Sequence, residues 1–202
     1  MKRPTIIAGV LAYDEHPDTI AAALATVAAL DDAIVFGESG SIESERGEAA
    51  ARQAGLEWAR IAGADWYLQL DADERLVHGE LLHDLLAEHH PRAYPLPYVS
   101  ERGWITLAPF KLFRAKGARI ELGSDVISWD GEEPWLLSGF AFPPELRHVV
   151  RAMPHLLHLP SERPDAATRR RLSERIEGSD LARILTRKWP LPFPVPRARP
   201  AA

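Results

Sequence analysis

The residues best equipped for chemistry are Asp71, Asp73 and Glu74, gathered in Asp71-Ala72-Asp73-Glu74 directly after the apolar run Ala64-Asp65-Trp66-Tyr67-Leu68-Gln69-Leu70. A strand ending in Asp-x-Asp projects two like charges from one tight turn, which is unfavourable until a cation or a proton offsets it. Hard carboxylate oxygens suit Mg²⁺ or Mn²⁺, ions that share their coordination shell with substrate phosphates. The spacing therefore predicts a divalent ion, Mn²⁺ or Mg²⁺, beside an anionic ligand. The chain has no cysteine, so metal ligands must come from Asp, Glu or His. The plainer alternative is a solvated acidic turn, since Asp also favours helix starts.

Such a turn needs elements to hold it. Residues 5–12 read as a buried strand, 17–30 as an alanine-rich helix with Pro17 in its first turn, and 33–36 as a second strand. A loop at 38–41 precedes a helix over 45–62 that carries Ala50, Ala54, Trp58 and Ile61 on one face. Residues 66–70 form the strand that delivers the acidic turn, and 76–89 return as a helix. This alternation predicts an α/β fold whose ligands sit beyond the carboxyl ends of the strands. Tyr13-Asp14-Glu15, Glu38-Ser39-Gly40 and Asp71-Ala72-Asp73 all lie at such ends, so three polar loops converge on one rim. Further on, residues 93–100, 104–113 and 119–122 read as more antiparallel strands. The stretch 123–139, rich in Gly, Trp and acidic residues, reads as a substrate-facing loop region, and 155–159 as a last short strand.

With 202 residues, 46% of them hydrophobic, the chain can bury one substantial core. The expected organisation is a domain over 1–162, a basic helical segment over 163–188 and a proline-rich tail over 189–202. The net charge of −5 argues against a generic nucleic-acid binder but conceals a split. From Arg163 onward there are 10 Lys/Arg and 4 Asp/Glu, or +6; the 14 Lys/Arg and 25 Asp/Glu before it give −11. The basic tail is either a solvated helix or a surface for phosphates or an anionic membrane. The start, Met1-Lys2-Arg3-Pro4, imitates a signal peptide, but Asp14-Glu15-His16 interrupts the apolar run and a core strand fits better. No stretch is long enough to span a membrane. The expectation is a cytoplasmic protein, with peripheral anionic contact through the tail.

The residues resemble a known family. Ala12-Tyr13-Asp14-Glu15, Glu38-Ser39-Gly40-Ser41-Ile42-Glu43, Arg52-Gln53 and Trp66 to Glu74 are similar, in pattern and order, to the family 2 glycosyltransferases, with Trp66 to Glu74 nearly verbatim. Pro109-Phe110-Lys111-Leu112-Phe113-Arg114 is similar to that family's Arg-Leu-Phe-Arg segment. The resemblance implies a GT-A-like open mixed sheet, Rossmann-like in its N-terminal half, flanked by helices. It implies inverting transfer of a sugar from a nucleoside-diphosphate sugar donor to an acceptor hydroxyl. In that reading a divalent ion stabilises the departing diphosphate, with Asp73 as direct ligand and His158 as a late metal-binding histidine. Asp71 accepts from the ribose or reaches the ion through water. Tyr13, Asp14, Glu15 and Glu38 line the donor site, and Arg52 pairs with the diphosphate. Inversion needs one general base, for which Asp125 is the candidate, with Asp130, Glu132 and Glu133 as competitors. Trp104, Trp129 and Trp135 offer flat faces for a sugar ring.

Three departures accompany the likeness. Between Glu43 and Arg52 there is no room for the further helix and strand of that family, Glu38 replaces Asp, and Ser124-Asp125 stands where a His-Glu pair is common. They motivate an alternative, a module of the same fold that binds a nucleotide sugar or glycan without turning it over. The residues carry non-catalytic readings as well. His158 in Leu157-His158-Leu159 suits a packed strand residue, and Arg46, Arg52 and Arg60 suit the wet face of one helix. A haloacid-dehalogenase-type phosphatase would want its Asp pair near the N-terminus and Thr or Val at the position of Arg75. A nucleotidyltransferase would want a basic glycine-rich loop where Tyr13-Asp14-Glu15 stands. The acceptor is open among glycan, lipid-linked, protein and modified nucleic acid.

Overall fold

Unbroken hydrophobicity in residues 6–11 marks a strand covered on both faces, and the computed structural model of the chain places it inside a sheet, flanked by a strand on each side. It describes residues 3–12, 15–37, 45–88, 92–94, 96–101, 103, 105–107, 111–120, 126–129, 135–136 and 150–162. In chain order the elements are β1 (Ile6–Leu11), α1 (Pro17–Thr26), β2 (Asp32–Phe36), α2 (Glu45–Ile61), β3 (Trp66–Asp71), β4 (Glu74–Val77) and α3 (Leu82–Glu88). Eight short strands follow: β5 (Ala93–Tyr94), β6 (Pro97–Ser100), β7 (Ile105–Leu107), β8 (Leu112–Arg114), β9 (Ala118–Ile120), β10 (Val126–Trp129), β11 (Trp135–Leu136) and β12 (His155–His158). The fold is mixed α/β.

The first sheet runs β2-β1-β3-β8-β5. β1 pairs in parallel with β2 and β3, while β8 lies antiparallel to β3 and to β5. Alternate side chains of the parallel strands serve two cores. Ile6, Ala8, Val10, Trp66, Leu68 and Leu70 pack on one side with Ala23 of α1, Val27 just after it, and Leu82 and Leu86 of α3. Ile7 and Tyr67 pack on the other with Leu56 and Ala59 of α2, and with Phe113, Ile120 and Trp129. The close seat of α2 depends on two glycines. A Cβ on Gly55 would stand 2.6 Å from Tyr67 Oη and 2.8 Å from the Phe36 ring, and one on Gly9 would meet the same two side chains.

Past Asp73 the chain leaves this sheet. β4 joins a second sheet of order β4-β12-β6-β7, in which β12 pairs antiparallel with β4 and parallel with β6. A third sheet, β11-β10-β9, packs Ile120, Ile127 and Trp129 into the α2 core.

Several expectations change here. The helix expected over 76–89 is a strand, a 3-10 turn at Gly79–Leu81 and the shorter α3. Leu76 is claimed by pairing with Leu156, and His78 turns the chain in the left-handed region at φ 57°. The buried stripe of α2 is Ala49, Arg52, Leu56 and Ala59 rather than the face of Ala50, Ala54, Trp58 and Ile61, since Ile61 is 87% exposed. Small residues and one paired arginine bring that face against the sheet. Residues 93–100 divide into β5 and β6, which belong to different sheets, as do β7 and β8. The stretch 123–139 holds β10 and β11, so it is not loop throughout, and Trp129 is buried edge-on to Phe113 at 6.4 Å. Its ring is core, not a face for a sugar. The segments expected over 163–188 and 189–202 lie outside the described residues. No described helix is long and apolar enough to cross a membrane.

Candidate functional site

β3 ends at Asp71, level with Leu11 at the end of β1, so the acidic turn opens at the carboxyl end of the parallel strands. Backbone pairing continues beyond the strands, with Ala72 N donating to Leu11 O at 3.0 Å and Ala12 N to Phe36 O at 3.0 Å. This register fixes where the turn begins. Ala72 is fully buried and its neighbours are nearly so: Asp73 is 2% exposed and Glu74 1%. Acids withdrawn so far from water must be compensated.

Asp71 is held from two elements. Arg52 of α2, itself buried, donates from Nη2 to Asp71 Oδ1. Lys111, immediately before β8, places Nζ 3.2 Å from Asp71 Oδ2 and 3.3 Å from Glu74 Oε2. Glu74 Oε2 also accepts from the Asp71 amide at 2.9 Å, so the turn is closed by its own third acid. Arg75 Nη1 donates to Ala72 O at 2.7 Å and Glu74 O at 2.9 Å, satisfying the turn's carbonyls.

Asp73 faces the second sheet. His158 Nε2 lies 3.0 Å from Asp73 Oδ2, and Leu159 N donates to Asp73 O at 2.8 Å, so the end of β12 grips both side chain and backbone. Register explains the meeting: His158 pairs with Glu74 on one side and Ser100 on the other. Tyr98 of β6 stacks at a tilt on the His158 ring, centroids 5.1 Å apart, and hydrogen-bonds to Glu74.

Burial pushes the Glu74 carboxyl above its ordinary range, with Asp71 and Asp73 adding to the rise and Lys111 opposing it. Burial, together with the three acids and the bond to Glu74, also holds the Tyr98 phenol far above its usual value, so it stays protonated as a donor. The site is thus a linked set of Arg52, Asp71, Lys111, Glu74, Tyr98, Asp73 and His158.

Of the residues singled out from sequence, Arg52, Asp71, Asp73 and His158 come together here. Arg52 is buried against Asp71 and is not part of a wet helix face. Glu15 is half-buried between β1 and α1. Tyr13, Asp14, Glu38 and Asp125 lie outside the described residues, as do Trp104, Asp130, Glu132 and Glu133. Sequence reasoning missed Lys111 and Tyr98 as members of the site and gave Glu74, though part of the acidic motif, no role of its own. The lysine inside the apolar Pro109-Phe110-Lys111-Leu112-Phe113 run was a usable signal, because a lysine there must be paired.

A divalent ion fits the donor set at Asp73 and His158. One carboxylate oxygen and one imidazole nitrogen stand 3.0 Å apart there, and Mg²⁺ or Mn²⁺ commonly takes the rest of its shell from water and phosphate. Among the described residues no group of three or more His, Asp or Glu side chains forms a metal cluster. A cleft of about 810 Å³ lies elsewhere, along α2, lined by Gln53, Glu57, Arg60, Lys116 and Arg119 among others and by none of the turn's acids. This cleft and the acidic turn are therefore at different places. Neither the comparison with protein-family models nor that with curated proteins gives a match.

Proposed function

We propose that the chain is a metal-dependent inverting glycosyltransferase of GT-A type, moving a sugar from a nucleoside-diphosphate sugar to an acceptor hydroxyl. The observation that carries this reading is the seating of His158, 85 residues distant in sequence, 3.0 Å from Asp73 where β3 leaves the parallel sheet. An acid and an imidazole brought together at that rim suit a divalent ion shared with phosphates. Asp73 and His158 would hold Mn²⁺ or Mg²⁺, which when bound offsets charge developing on the diphosphate leaving group. Lys111, Glu74 and Arg52 keep Asp71 in place beside it, and Tyr98 braces the imidazole. Asp125 is assigned as the general base. A cytoplasmic setting and an acceptor among glycan, lipid-linked, protein or modified nucleic acid belong to the same proposal, as does anionic contact through the basic tail.

Calorimetry with UDP and GDP, with and without Mn²⁺, tests the assignment. Binding should require the ion and be lost in Asp73→Ala, and transfer or hydrolysis of a nucleotide sugar should be lost with it. Release of phosphate from simple monoesters, or ion-independent binding, would sink the reading.

One observation favours a second reading, a module that binds a nucleotide sugar without turnover. Only eight residues, 37–44, separate β2 from α2, which then leads directly into β3, too few to supply the further helix and strand of a full donor wall. Mn²⁺-dependent binding with no turnover across an acceptor panel would establish the module instead.

A further inference from the structure

We propose that Lys111 is a positioning residue that occupies the place of a second cation, confining divalent-ion binding to the Asp73 side of the acidic turn. The proposal rests on the metal–diphosphate reading above and deepens it. Lys111 is 4% exposed, and its ammonium bridges Asp71 Oδ2 and Glu74 Oε2 at 3.2 and 3.3 Å. Its position is set by main-chain pairing: Gln69 N donates to Lys111 O at 2.8 Å, locking this residue to β3 two positions before Asp71. The ammonium therefore cannot drift away as a surface lysine would.

Three acids within four residues would otherwise attract cations at either end of the turn. Arg52 donates to Oδ1 of Asp71, whereas Lys111 engages Oδ2 and Glu74 Oε2 and so joins the two acids. Opposite charges at such separations attract far more strongly in a buried setting than in water, because the effective dielectric is lower there. Removing the ammonium while keeping the acids should expose that attraction to any divalent ion. With the lysine present, the ion meets one acid and one imidazole, a weak pair that depends on phosphate oxygens for the rest of its shell. The inference is that Lys111 makes ion binding conditional on the diphosphate.

The test is titration of Mn²⁺ alone, followed by electron paramagnetic resonance, in wild type, Lys111→Met, Lys111→Arg and the Lys111→Met/Asp71→Asn double variant, with circular dichroism as a check on folding. Lys111→Met should bind free Mn²⁺ about tenfold or more tightly than wild type. Lys111→Arg should match wild type, and the double variant, which loses one charge of each sign, should return towards it. A purely structural lysine would lower stability and leave Mn²⁺ affinity unmoved. No gain in Lys111→Met, or an equal gain in Lys111→Arg, overturns the proposal. If Lys111→Met does not fold, the charge-balanced double variant decides: affinity far from wild type refutes the role. A gain in Lys111→Met, without Mn²⁺-dependent UDP or GDP binding by wild type, leaves Lys111 standing and removes the glycosyltransferase reading. Ion-dependent nucleotide binding without the gain does the reverse.

Discussion

Asp71 and Asp73 are two residues apart and identical in type, yet they belong to different regions of the molecule. Asp71 closes a ladder of the parallel sheet, where Arg52 and Lys111 grip it from α2 and the start of β8. Asp73 has crossed into the second sheet, where its partner is an imidazole from the last described strand. The first environment is built from permanent cations, one on the preceding helix and one 40 residues further on. The second is built by long-range pairing and presents a group whose nitrogen binds either a proton or a metal. An Asp-x-Asp motif thus need not be a symmetric clamp; here one acid is held by two permanent cations and the other by an imidazole.

The sharpest way to break that contrast is to remove the anchor. Arg52→Met should cost about 3 kcal/mol in urea unfolding, the lower end of the range for breaking a buried ion pair, because Asp71 is 24% exposed and keeps Lys111. A loss below about 1 kcal/mol would mean that Asp71 is not anchored by α2. Asp73→Asn should show a different profile. It keeps the side-chain shape but turns one acceptor oxygen, in a side chain only 2% exposed and bonded to His158, into a donor, so stability should fall by about 1–2 kcal/mol. Mn²⁺-dependent binding of UDP or GDP should nevertheless weaken by about 100-fold, the scale of losing a direct charged ligand. Equal behaviour of the two variants in both assays would erase the distinction.

How much of this contrast could be read from the chain follows from sequence separation. The β1-α1-β2-α2-β3 order was legible because each element carries its own apolar period and the connections are local. Asp71 and Asp73 were legible as a pair because an apolar strand runs straight into them. What was hidden is their different fates, which depend on β4 pairing with a strand some 80 residues later. The same pairing turned an expected helix start at Leu76 into strand. The face of α2 was misread because Arg52 looks like a solvent residue until its acid is known, while Ile61 looks buried and is not. Lys111 failed to stand out because its partners come from β3 and β4, forty residues back.

A smaller effect tests the packing that brings Arg52 to Asp71. Gly55→Ala should destabilise by about 1–3 kcal/mol, because the new methyl would meet the hydroxyl of the fully buried Tyr67 and the half-buried Phe36 ring. Should the variant be as stable as wild type, α2 would have room to withdraw and the anchoring argument would lose its geometric basis.

Smaller again is a pH effect confined to the second sheet. Burial lowers the pKa of His155 at the start of β12, with positive charge at His78 and Arg151 acting in the same direction and the bond to Met153 O opposing. The unfolded chain then binds the proton more readily than the folded one. This contribution to stability is fully present above the ordinary histidine value near 6.5 and is lost as pH falls through it towards the folded value. Glu74 works in the opposite sense. Its raised pKa favours the folded state at low pH, and that contribution is lost as pH rises past about 4.5 to the folded value. Comparing wild type with His155→Asn by thermal melts between about pH 5 and 8 isolates the first term. The variant should show the shallower acid loss, and parallel curves would remove His155 as its source.

The smallest expected change lies where the anchored side of the turn meets the core. Tyr67 precedes Asp71 by four residues on β3, and its hydroxyl is buried against Gly9 and Gly55 with no hydrogen-bond partner among the described residues. Burial raises its pKa, and Arg52 is near enough to oppose the rise. An unsatisfied buried hydroxyl costs about 1–3 kcal/mol, whereas the small void left by its removal costs about as much as a missing methyl. The two nearly cancel. Tyr67→Phe should therefore be neutral or more stable by up to about 1 kcal/mol, read by urea unfolding. A loss beyond about 1 kcal/mol would mean that the hydroxyl is bonded in solution. In that case the polar network around Asp71 would run through Tyr67 into the α2 core, and the two acids would differ in depth as well as in partner.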